Sequence, residues 1–143
     1  MTAPAPPGNR VPPKPPPLDL RGLVILVVED DTDSREMLEQ MVGSFGATVM
    51  AARHGAEAID RVTAQAPDLV FCDLVMPRVD GFDFVAWLKR SPKLCRIPVI
   101  AFSALGTAAD CERTLAAGFS GHLLKPIDYG IIEAQLRRVF PER

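Results

Sequence analysis

Five side chains from four separated stretches are the ones equipped for chemistry: Glu29 and Asp30, then Asp73, Ser103 and Lys125. Each sits at the end of a short apolar run, where a strand would stop. Together they offer three carboxylates, one hydroxyl and one ammonium. Hard divalent cations take oxygen ligands, and Mg2+ keeps several waters beside one or two carboxylates. Asp30 and Asp73 are the expected direct ligands, with Glu29 acting through a water. The backbone carbonyl of Val75, just past Asp73, is the candidate for one further ligand. Three carboxylates crowded without a cation would repel and raise one another's pKa.

Asp73 also has the makings of a nucleophile, since carboxylates form aspartyl phosphates in covalent catalysis. A metal would neutralise phosphoryl oxygens and align an in-line donor. Lys125 would bring a point charge to another oxygen, and the Ser103 hydroxyl and the Ala104 amide would donate to the same group. Taken singly, each residue has a plainer account. Adjacent acids at a helix start serve as dipole partners, and an Asp after a strand is commonly a turn residue. The specificity lies in the set, because each member ends a separate strand of one expected sheet.

The elements that must position them follow from periodicity. Residues 23–28 form a continuous apolar run, suited to a strand buried on both faces. Met37, Leu38, Met41, Val42 and Phe45 recur at helical spacing, with Gly46 closing the helix. Asp33 and Glu36 have the spacing of a helix-start capping pair. Further strands are expected at residues 48–51, 69–72, 98–102 and 122–124. Helices are expected around Ala58, Ile59 and Val62, then after Asp80 and Gly81 through Phe84, Val85 and Leu88. Another runs from about residue 107 to 117 before Gly118, and the last carries Ile131, Ile132, Leu136 and Val139. Strands alternating with helices imply an α/β fold, a doubly wound five-stranded parallel sheet flanked by five helices. Ligands in such sheets bind beyond the carboxyl ends of the strands, at the switch in strand order.

Composition narrows the class. The 143 residues suffice for one domain, with 48% hydrophobic and 24% charged residues and a net charge of -2. From Gly22 onward there are 13 basic and 17 acidic residues, with no basic stripe, so direct nucleic-acid binding is not expected. No apolar run approaches the ~18 residues of a membrane helix, and the first ten residues lack a secretory signal's apolar stretch. Cys72, Cys95 and Cys111 show no CxxC spacing and are expected as free thiols in a reducing cytoplasm. Eight of the 14 prolines fall within residues 1–17. Such a segment is extended and solvated. A disordered tail, a spacer and a docking peptide for a proline-reading groove all remain open for it.

From about residue 22 to 140 the chain resembles the receiver domain of two-component response regulators. The likeness rests on ILVVEDD at residues 25–31, PDLVFCDLVMPRVDG at 67–81, PVIAFSA at 98–104 and GHLLKP at 121–126. The intervals also fit: 43 residues from Asp30 to Asp73, 30 to Ser103 and 22 more to Lys125. The resemblance implies a flavodoxin-like receiver fold with strand order 2-1-3-4-5, spanning residues 21–143 after a tail of residues 1–20. It implies that Asp73 accepts a phosphoryl group from a phosphohistidine on a sensor histidine kinase or histidine phosphotransfer protein. Mg2+ would sit at Glu29, Asp30, Asp73 and the Val75 carbonyl. Ser103 would move toward the phosphoryl group, Lys125 would contact it, and Pro126 would follow a cis bond. A downstream protein would read the surface of the fourth helix, fifth strand and last helix, in the cytoplasm. Output through partner binding is the first expectation, because no output domain follows the last helix. A phosphorelay shuttle to a histidine phosphotransfer protein is the second, and a Mg2+-dependent small-molecule phosphatase the third.

Two departures from the family pattern stand out. His122 lies three residues before Lys125, where many receivers carry Tyr or Phe that reports the serine movement. Histidine is shorter and titrates near neutrality. A solvent-exposed edge residue and a pH-sensitive partner surface are both open. Val75 and Leu105, two past Asp73 and two past Ser103, cannot orient an attacking water, which implies slow self-dephosphorylation. Phe82, Phe84 and Trp87 have the spacing of ordinary helix packing, and Cys72 should face away from Asp73.

Overall fold

Uninterrupted β-branched runs need cover on both faces, and the chain supplies it. The computed structural model describes residues 16–76, 79–104 and 106–143. Its elements are β1 (Val24–Val28), α1 (Thr32–Gly43), β2 (Thr48–Ala52), α2 (Gly55–Ala64) and β3 (Leu69–Asp73). They continue as α3 (Gly81–Lys89), β4 (Val99–Ser103), α4 (Ala108–Ala117), β5 (Gly121–Leu124) and α5 (Tyr129–Val139). All strand pairs are parallel, in the order β2-β1-β3-β4-β5. The expected flavodoxin-like architecture is therefore the one observed. The chain steps outward from β1 to β2 and then returns to the other side of β1 for β3. That reversal opens a crevice above the ends of β1 and β3.

Strand alternation divides the core into two layers. Ile25 and Val27 pack with Phe71, Leu38 and Val42 of α1, and Ile132 and Leu136 of α5. Leu26 and Val28 pack with Ala58 and Val62 of α2, and Phe84, Val85 and Leu88 of α3. Cys72 belongs to this second layer, as expected, and Trp87 stacks on Phe84 at 6.2 Å. Helix α4 is the thinnest cover, with Thr114 its buried residue. It starts at a capping box between Thr107 and Asp110 and stops at Gly118, whose φ of 109° suits glycine.

Two expectations need correction. Asp31, not Asp33, caps α1, its side chain accepting from the Ser34 amide at 2.9 Å. Asp33 already lies inside the first turn, where an acid still favours the helix N-terminus. Within residues 16–20, assigned by composition to the tail, the two leucines are packed. Leu18 and Leu20 are 7% and 0% exposed, and the Leu20 amide donates to the Phe45 carbonyl at 2.8 Å. Arg137 of α5 donates to the Pro16 carbonyl at 3.0 Å. Proline content masked the alternating pair of leucines. The tail expectation for residues 1–15 lies outside the described residues, as does the one for Leu105.

Candidate functional site

The crevice is built from strand ends. Past β1, the Glu29 amide still pairs with the Ala52 carbonyl at 3.0 Å, which carries the Glu29 side chain inward, where it is 1% exposed. Asp30 turns outward and is exposed. Arg35 of α1 reaches back to the Glu29 carbonyl at 3.0 Å and so pins this acidic turn. Asp73 closes β3 with its side chain buried at 4% exposure. Its Oδ1 accepts from the Val75 amide at 3.0 Å, which fixes the carboxylate against the following loop. Val75 itself is 65% exposed.

Lys125 enters from the end of β5, where its amide donates to the Ser103 carbonyl at 2.9 Å. Its ammonium donates to Asp73 Oδ2 at 2.8 Å and to Glu29 Oε2 at 3.4 Å. The Lys125–Pro126 bond is cis. Carboxylate oxygens of Glu29, Asp30 and Asp73 all lie within 4.8 Å of one another. An all-oxygen donor set of this charge matches what a hard divalent cation takes, so the residues present fit Mg2+.

The electrostatics follow from this crowding. Burial foremost, then the hydrogen bond and charge of Asp73, push the Glu29 carboxyl up to about 7; Lys125 and the Asp31 amide work against the rise. Burial alone would lower the Lys125 ammonium, but its contacts with Asp73 and Glu29 outweigh that and raise it. The upward shift of Glu29 and the ammonium of Lys125 thus both reduce the crowded negative charge when no metal does so.

Ser103 closes β4 at 1% exposure, and Ala104 follows it on the exposed loop. Ser103 Oγ lies 3.0 Å from His122 Nε2. The other ring nitrogen, Nδ1, lies 3.3 Å from Thr114 Oγ1, and that hydroxyl is 2.7 Å from the Asp110 carbonyl. His122 is thus half-buried and bonded at both nitrogens, so the exposed edge position is excluded. The neighbouring helix α4 covers it.

Comparison with known proteins decides the family. Residues 25–137 match the Response regulator receiver domain family. The chain belongs to that family. This receiver is 36% identical over 104 residues to an uncharacterized 14.6 kDa protein of Leptolyngbya boryana, covering 73% of this chain and 79% of that one. It is 32% identical over 103 residues to the polar-differentiation response regulator DivK of Brucella anthropi, covering 72% and 84%. A solved signal receiver domain of a signal transduction histidine kinase from Syntrophus aciditrophicus superposes with a TM-score of 0.77. It has 31% identity and covers 84% of this chain and 91% of that one. The receiver is accordingly a signalling domain of two-component systems.

The structure brings Glu29, Asp30, Asp73 and Lys125 of this receiver into one crevice, with Ser103 on the adjoining strand. Sequence reasoning missed Arg35, Asp31 and Thr114. Arg35 could have been found from its place one helical turn past the acidic pair. Thr114 left a fainter signal, a polar residue on the buried face of an otherwise alanine-rich helix. Among the described residues, no helix is long and apolar enough to cross a membrane.

Proposed function

We propose that this receiver is a phosphorylation-dependent switch with Asp73 as phosphoacceptor. The single observation that carries the proposal is the convergence of Asp73, Glu29 and Lys125 within hydrogen-bonding distance at the sheet's switch point. A carboxylate oxygen of Asp73 attacks phosphorus, an O–P bond forms and the donor's N–P bond breaks. The leaving imidazole, on a sensor histidine kinase or histidine phosphotransfer protein, departs with the bonding pair and takes up a proton. Mg2+, when bound, supplies positive charge to the phosphoryl oxygens. Glu29, Asp30, Asp73 and the Val75 carbonyl would hold it. The Val75 amide orients Asp73, and Lys125 presents its charge to the incoming group. The Ser103 hydroxyl, once turned toward it, and the Ala104 amide would donate to it.

Output runs through the face of α4, β5 and α5. Leu115, Leu124 and Ile131, one from each element, are exposed at 57%, 50% and 36%, which supports an apolar partner surface there. The setting is the cytoplasm. The exposed valine two residues past Asp73 provides no group to orient water, so the phosphoryl group is lost slowly. It also lacks the second acid that a small-molecule phosphatase would use, which ranks that reading last. The similarity to a histidine kinase's receiver supports phosphoryl shuttling as the second reading.

The test is labelling by acetyl phosphate with Mg2+. The unsubstituted chain should take up label and Asp73→Asn should not. Label retained in Asp73→Asn would overturn the assignment. Loss of label to an added histidine phosphotransfer protein, faster than to water, would favour the shuttle over the switch.

A further inference from the structure

One proton per hydroxyl decides the direction of the hydrogen bonds that run from Ser103 into α4. Thr114 Oγ1 lies 2.7 Å from the Asp110 carbonyl, which can only accept, so the threonine proton goes there. The same oxygen is 3.3 Å from His122 Nδ1. Thr114 has no second proton to give, so Nδ1 must carry the hydrogen. A neutral imidazole has one N–H, which leaves Nε2 as a bare acceptor. Ser103 Oγ, 3.0 Å from Nε2, therefore donates its own proton to the ring. Thr114 and Ser103 are 0% and 1% exposed, so water does not readily replace these bonds.

We propose that Ser103, His122 and Thr114 form a tautomer-set latch. Thr114 holds His122 in the Nδ1–H form, and that form keeps the Ser103 proton on the ring instead of on a phosphoryl group at Asp73. The latch rests on the phosphoacceptor role given above. Ser103 can donate to a phosphoryl oxygen only by leaving Nε2, and the ring's altered bonding is then felt by Thr114 inside α4. His122 and Thr114 are positioning residues that act through Ser103. A phenyl ring at position 122 could not take the serine proton at all, so this device belongs to histidine.

His54 supplies an internal contrast. Its Nδ1 accepts from the Glu57 amide at 3.1 Å, which requires the Nε2–H form. The two histidines of the chain are thus expected in opposite tautomers.

The experiment is 15N NMR of the imidazole nitrogens in the whole, metal-free, unphosphorylated chain, in mildly alkaline buffer. His122 should report Nδ1–H and His54 Nε2–H. In Thr114→Val, Nδ1 loses its acceptor and a buried unpaired N–H is costly. The ring should turn to Nε2–H and donate to Ser103, freeing the serine proton for the phosphoryl group. Labelling of Asp73 at subsaturating acetyl phosphate should then rise about fivefold, the worth of one neutral hydrogen bond. Thr114→Ser, which keeps the hydroxyl, should match the unsubstituted chain. The latch is overturned if His122 reports Nε2–H in the unsubstituted chain, a result independent of how well any variant folds. It is overturned equally if Thr114→Val shifts the tautomer while labelling stays unchanged. Absence of label in every version would instead sink the phosphoacceptor role and the latch's purpose with it, with the tautomers judged by the spectra alone.

Discussion

Lys125 reaches from the end of β5 to place its ammonium 2.8 Å from Asp73 Oδ2, across 52 residues of sequence. The same nitrogen touches Glu29 Oε2 at 3.4 Å. One ammonium thus bridges the two buried carboxylates that a divalent cation would also seek. A cation bound there would compete with the ammonium for the same carboxylates, and that competition can be measured.

Replacing the lysine separates the two. Lys125→Met leaves Asp73 and Glu29 facing each other without the cation. Stability of the metal-free protein should fall by about 1–3 kcal/mol in urea denaturation, the cost of stranding buried polar groups. Mg2+ affinity should rise, because the rival charge is gone, while acetyl-phosphate labelling of Asp73 should drop. Unchanged stability and unchanged Mg2+ affinity together would mean that the ion pair contributes nothing.

Glu29 sets a pH dependence. Its carboxyl is raised from the usual 4.5 to about 7, so the folded protein holds a proton that the unfolded chain releases. The stabilising contribution is complete below about 4.5 and disappears as pH rises through about 7. Thermal unfolding of the metal-free protein should show this loss, and Glu29→Gln should remove it. Mg2+ binding has the opposite slope, weakening as pH falls through that value, because proton and cation compete for one carboxylate. Calorimetric Mg2+ titrations that give one affinity on both sides of neutrality would count against the shift.

Gly81 tests how tightly the Asp73 backbone is held. A Cβ there would meet the Asp73 carbonyl oxygen at 2.7 Å and the Leu74 Cα at 3.1 Å. Both are backbone atoms that cannot swing aside. Gly81→Ala should therefore cost about 1–3 kcal/mol despite the better helix propensity of alanine. Labelling of Asp73 should slow as the strand end shifts. A stability gain would show that the loop yields freely.

The packed N-terminal segment makes a simpler case. Leu20 is fully buried beside α1 and α5 residues of the same core layer. Leu20→Ala should cost about 2–5 kcal/mol in chemical denaturation, the range for emptying a leucine site. A chain begun at residue 21 should be destabilised at least as much. No change in either would return residues 16–20 to the tail.

The sheet and its crevice were largely legible before any coordinates. Apolar runs of strand length, each closed by Asp73, Ser103 or the Glu29 and Asp30 pair, announce their own ends, because side-chain polarity changes where the strand leaves the apolar core. The resemblance to receivers then supplied the strand order. Less legible was whatever depended on a partner distant in sequence. Leu18 and Leu20 read as tail because proline content hides a two-residue alternation. Asp33 read as a cap because its spacing to Glu36 is right, yet the backbone turns at Asp31.

Residue type and local period determined which elements form and which side chains carry charge, since those depend on near neighbours. Tertiary structure alone decided that His122 would be sandwiched between Ser103 of β4 and Thr114 of α4. It also decided which of its nitrogens bears the proton. A hydrogen bond has a direction only when both partners are placed, and these partners meet only after three elements have packed.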